Sequence, residues 1–75
     1  SSEVLVKAAG RSGNSIRFLY QIRVEDLKGA STDEERRTAI LRVIEPISGA
    51  VDLERDEPVL DTHGKVIAYN AWVLR

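Results

Sequence analysis

His63 is the protein's one histidine, and Asp61 stands two residues before it in the run Asp61-Thr62-His63-Gly64. An imidazole beside a carboxylate is the beginning of a general base or of a metal site, but a base needs a nucleophile and a closed zinc site needs four ligands. Neither is at hand, and Asp-Thr-His-Gly has the composition of a turn, so the pair is expected to sit in a solvated turn. Asp52, Glu54 and Asp56 recur at every second residue, which in a strand would line three carboxylates along one face as a hard cation requires. Calcium loops wrap their ion whereas this run is straight, so it reads instead as a charged edge that discourages strand addition. Gly10-Arg11-Ser12-Gly13-Asn14-Ser15 has the glycines of an anion nest. A phosphate loop opens a helix, though, and the residues that follow alternate like a strand, so a hairpin loop is expected. Asp33, Glu34 and Glu35 precede Arg36 and Arg37. That order suits acids at a helix N-terminus pairing with cations three and four residues on. No catalytic residue, metal ligand or cofactor is assigned.

The first hairpin carries a different kind of signal. Its outer face presents Leu5 and Lys7 on one strand and Arg17, Leu19, Gln21 and Arg23 on the next, leucines set among cations. If Trp72 emerged on the same side, the cations would flank an aromatic platform of the kind that stacks single-stranded nucleic acid. The same leucines and indole would equally form the apolar centre of a protein contact.

The elements that must position these residues follow from periodicity. Val4, Val6 and Ala8 alternate, as do Ile16, Phe18, Tyr20, Ile22 and Val24, giving two strands. A helix is expected at about residues 33 to 45: Ser31 with Glu34, or Thr32 with Glu35, offers a capping box, and Pro46 disfavours helical geometry at Glu45. Ile40, Leu41, Val43, Ile44 and Ile47 share one arc of that helix. Ala50 to Asp61 makes a weaker strand interrupted by Pro58, an edge feature. The last strand breaks the rule of alternation, with Ile67, Tyr69, Ala71 and Val73 on one side and Val66, Ala68, Trp72 and Leu74 on the other, Asn70 being the one polar interruption. Both faces of that strand need cover.

A chain of 75 residues makes one small α+β domain and leaves no second core. With 43% hydrophobic and 31% charged residues it has the composition of a soluble globular domain, and its apolar runs fall far short of the roughly 20 residues a membrane-spanning helix needs. Cysteine is absent, so no disulfide supports the fold and the source compartment stays unassigned. The opening Ser1-Ser2-Glu3-Val4 and the lack of methionine suggest a processed product or an excised domain. Charge is uneven: Lys7, Arg11, Arg17 and Arg23 stand against Glu3 in the first third, while Asp52, Glu54, Asp56, Glu57 and Asp61 stand against Arg55 later. Such asymmetry bears on association more than on fold.

The expected architecture is a two-layer ββαββ fold with one helix on a four-stranded mixed sheet. Strands 2 and 3 are taken as edges and strands 1 and 4 as a parallel central pair, giving the order 2-1-4-3 with the helix as crossover. This order of elements resembles the β-grasp fold of ubiquitin-like domains. It departs from the conjugating members, which end in Gly-Gly, since this chain stops at Trp72-Val73-Leu74-Arg75, so a modifier role is not implied. With Ile67, Tyr69, Ala71 and Val73 under the helix, the open face would carry Leu5, Lys7, Arg17, Leu19, Gln21, Arg23, Asn70, Trp72 and Leu74 as an interface. The expected function is a non-enzymatic interaction domain or small subunit that binds a protein partner or itself as a homodimer; nucleic-acid binding is the alternative.

Overall fold

The computed structural model describes residues 4–75. Two strands, β1 (Val4–Ser12) and β2 (Ser15–Arg23), are followed by a single 3-10 turn (Val24–Leu27), a helix α1 (Asp33–Ser48), and two more strands, β3 (Asp52–Leu60) and β4 (Val66–Leu74). One helix packs on one face of a four-stranded sheet, an α+β fold of two layers. β1 and β2 meet through the two-residue loop Gly13-Asn14, where Gly13 takes the positive φ that the first position of a tight hairpin turn demands.

The pairing differs from the β-grasp expectation. The order is β1-β2-β4-β3 and every neighbouring pair is antiparallel, so β2 rather than β1 lies beside β4, and the edges are β1 and β3. The helix joins β2 to β3, with β4 inserted between them. A bulge explains why β1 loses the central place. Register shifts between Val6 and Ala8, so Lys7 drops out of the ladder and the alternation reverses beyond it. Val4 and Val6 pair with Ile22 and Tyr20 on the helix side, but Ala8 pairs with Leu19 on the opposite side, and only Ala9 and Arg11 follow on the helix side. β1 therefore has little bulk to offer a core, and Val6 remains 57% exposed. β2 keeps its alternation throughout and buries Tyr20 and Ile22.

The core gathers Tyr20, Ile22, Leu27, Ile40, Ile44, Ala71 and Val73, with Tyr69 and Phe18 packed against it. Fully burying side chains of the isoleucine and valine class stabilises by about 1.5–3 kcal/mol each, so Ile22, Ile40, Ile44 and Val73 dominate the packing energy. Ile67, placed by parity on the same side of β4, lies beyond the helix and is exposed.

At the helix start, Thr32 Oγ1 accepts from the Glu35 N–H at 3.0 Å while the Glu35 carboxylate accepts from the Thr32 N–H at 3.1 Å. This is the reciprocal capping box, with Thr32 rather than Ser31 as the cap. The Ser31 N–H and hydroxyl also donate to Glu35, which holds its carboxyl below the ordinary range. The end differs from expectation: α1 continues through Pro46 to Ser48. Proline's missing N–H orphans one carbonyl a turn earlier, but the last turn is held by the Gly49 N–H donating to the Glu45 carbonyl at 2.8 Å and by the Ser48 hydroxyl on the Ile44 carbonyl at 3.3 Å. Pro46 itself faces outward, as does Ile47, which is 59% exposed instead of joining the apolar arc.

Candidate interaction face

Cross-strand register arranges the helix-free face in rows. Ala8, Leu19, Trp72 and Arg55 form one row across all four strands; Leu5, Gln21, Asn70 and Glu57 form the next; Gly10, Arg17, Leu74 and Asp52 form the row on the other side. Leu5, Arg17, Leu19, Gln21, Arg23, Asn70, Trp72 and Leu74 thus share one face, and Lys7 lies at the bulge beside them. Leu19, Trp72 and Leu74 are half-buried, while Leu5 is 54% exposed. No second helix exists among the described residues to lie over them.

Polar groups on this face are largely satisfied by one another. Arg17 makes a two-pronged pair with Glu54, Nε to Oε1 at 2.7 Å and Nη2 to Oε2 at 3.0 Å, which reaches across β4 from β2 to β3. The pairing raises the Arg17 pKa and lowers that of Glu54. Gln21 donates through Nε2 to Asn70 Oδ1 at 3.2 Å, closing the two amides on each other. Arg23 turns away to Glu25 at 3.1 Å and approaches Asp26 to 4.0 Å. Arg55 sits with its guanidinium carbon 3.8 Å from the centre of the Trp72 ring and is held there by Glu57. The surface is an apolar centre bounded by paired polar and charged groups.

Arg55, Glu54 and Ala8 are members of this face that sequence reasoning missed. Arg55 was visible as the lone cation in an acidic strand, but its stacking on Trp72 depends on the β3–β4 register, which shifts between Leu53 and Arg55. The bulge also separates the expected carboxylate row: Asp52 pairs with Leu74 and Glu54 reaches Arg17 on the helix-free face, whereas Asp56 pairs with Ala71 on the helix side and binds Arg36. Arg11, counted among the cations of the nucleic-acid alternative, pairs with Ile16 and lies on the helix side. Among the described residues no group of three or more histidine and carboxylate side chains gathers as a metal site would require. Asp61 spends one carboxylate oxygen on the N–H groups of His63, 2.8 Å, and Lys65, 3.0 Å, which closes the turn before β4.

A separate concavity lies on the helix side. It is an open groove of about 1170 Å³ between α1 and the segment leading into it, with Val4, Leu27, Val43 and Ile47 among its apolar lining. Charges of both signs, Asp26, Lys28, Glu34 and Arg42, are distributed along its walls, with no converging set to orient a small molecule. No protein-family model, curated protein or solved structure matches the chain.

Proposed function

We propose that the chain is a non-enzymatic interaction domain or small subunit whose helix-free sheet face binds another protein chain. One observation carries this reading: among the described residues a whole face of the sheet has no element of its own chain above it, and its middle row is Ala8, Leu19, Trp72 and Arg55. Trp72 is already half-buried and stacked by Arg55, so a partner would cover less than half of an indole's roughly 200 Å², a gain of about 1–2 kcal/mol at about 25 cal/mol per Å², to which Leu19 and Leu74 add. Both sheet edges are blunted against the competing mode, strand addition. β1 carries the Lys7 bulge, and β3 carries Pro58 and two register shifts. Association therefore falls to the face.

The arrangement favours a protein over a nucleic-acid strand. Arg55 already occupies one side of the indole on which a base would stack, and Arg17 and Arg23 are engaged by carboxylates. A nucleic acid would have to displace all three pairs. The test compares Trp72→Ala with Ile47→Glu, the latter in the helix-side groove, by light scattering and thermal melting. Trp72→Ala should stay folded and lose association, while Ile47→Glu should associate as the unaltered protein does. The reverse pattern would move the interface to the groove.

A further inference from the structure

We infer that the occupant of the helix-free face is a second copy of this chain, packed sheet on sheet about a two-fold axis that runs along the strands between β2 and β4. The inference rests on the proposed interaction face and specifies its partner. Shape is the first argument. Relief across the middle row is uneven, low at Ala8 on β1 and high at Trp72 and Arg55 on β4 and β3, where one side chain stacks on the other. Gly10 makes the neighbouring row low at the same edge. A two-fold along the strands exchanges β1 with the partner's β3 and β2 with its β4. Each copy's Arg55 then stands over the other's Ala8, Asp52 over Gly10, and Leu19 packs against the partner's Trp72. Where β1 meets β3, high meets low.

Charge selects the same axis. On this face β1 carries Lys7 at its bulge and β2 carries Arg17, which Glu54 engages, while β3 contributes Asp52, Glu54 and Glu57 against Arg55. The axis along the strands carries the acidic β3 of each copy toward the partner's β1, where Lys7 stands. A two-fold running across the strands would instead lay β3 on β3, setting carboxylates and Arg55 against their own copies at a cost in repulsion. An isologous contact of this kind closes after two chains and leaves no further free face. Its size is adequate: four strands of nine residues, spaced about 4.8 Å with a rise of about 3.3 Å, present roughly 570 Å² in projection. That projection is close to the roughly 600 Å² per partner at the low end of stable interfaces. Aligned sheet packing, near −30° and about 10 Å apart, accommodates the twist of both copies.

The absence of cysteine makes the geometry directly testable. Gly10→Cys and Asp52→Cys place single thiols at opposite ends of one row, both exposed, and a Cβ on Gly10 meets no atom within 4 Å. A short bis-maleimide added to an equal mixture of the two variants should yield crosslinked dimer, and neither variant alone should. Light scattering on the unaltered chain should show the mass doubling with concentration, and Trp72→Ala should raise the dimer dissociation constant about 30-fold or more. A chain monomeric at every concentration would overturn self-pairing while leaving the face open to a different protein. Crosslinking within each single variant would overturn the axis. A dimer unaffected by Trp72→Ala would overturn the interaction face itself.

Discussion

The Arg55 guanidinium lies 3.8 Å from the centre of the Trp72 indole, at a directly paired position of β3 and β4. The strand's own neighbour thus shields one side of the ring, and the rest of the indole remains as the apolar centre of the helix-free face. An exposed cation–π contact of this kind contributes about 0.5–1 kcal/mol. It also restricts the ring's orientation.

Arg55→Ala should therefore lower unfolding stability by about 0.5–1 kcal/mol and shift Trp72 emission toward that of a solvated indole, with Arg55→Lys retaining part of both effects. Urea melts and emission spectra check this. An unchanged spectrum in Arg55→Ala would mean the stacking does not hold in solution.

A second contact of the same chemistry faces the helix. Arg36 binds Asp56 at 2.5 Å and Asp33 at 2.9 Å, and its guanidinium lies 4.8 Å from the centre of the Tyr69 ring. The Asp56 side chain is only 8% exposed and that of Arg36 19%. The Asp56 carboxylate raises the Arg36 pKa, so the cation is permanent. Asp56→Ala leaves that charge half-covered with Asp33 alone and should cost about 3 kcal/mol, whereas Arg36→Met combined with Asp56→Leu should recover most of the loss. A double-mutant cycle in denaturant measures the coupling, and additive effects would show the pair to be energetically idle.

The helix cap gives a prediction in two parts. Thr32→Ala removes the acceptor for the Glu35 N–H and should cost about 1 kcal/mol. The folded protein holds Glu35 and Glu54 below the ordinary carboxyl pKa through hydrogen bonds from Ser31 and from Arg17 respectively. A lowered folded value means that their contribution is complete above the unfolded pKa, near 4.5, and disappears as pH falls through the folded values. Stability should thus fall on acidification below that point, and Glu35→Gln should flatten the fall. Denaturant midpoints across acidic pH check it; an identical slope in the variant would remove Glu35 from the account.

The helix was legible because Thr32 and Glu35 stand three apart and Ile40 and Ile44 four apart, local patterns that need no knowledge of the rest of the chain. Pro58 likewise marked β3 as an edge. The strand order was not legible, since β1, β2 and β4 are all rich in apolar residues and the deciding event is one residue, Lys7, leaving the ladder. Nothing in Val6-Lys7-Ala8 announces a bulge; it follows from fitting β1 against β2. Pro46 was misleading because a proline in the final helical turn removes a bond at the exposed end, where Gly49 and Ser48 supply others. Both apolar sides of β4 could be read from residues 66 to 74, but Arg55 over Trp72 required the β3 register.

Trp72 is the only tryptophan, so its fluorescence reports on the helix-free face without interference. The most direct measurement is acrylamide quenching of that emission as the protein is diluted, with mass followed in parallel by light scattering. Cover by a second chain predicts weak quenching while the protein is associated and stronger quenching as the mass falls to that of one chain. Quenching that stays constant while the mass changes, or a constant mass and constant quenching at every concentration, would contradict a second copy on this face.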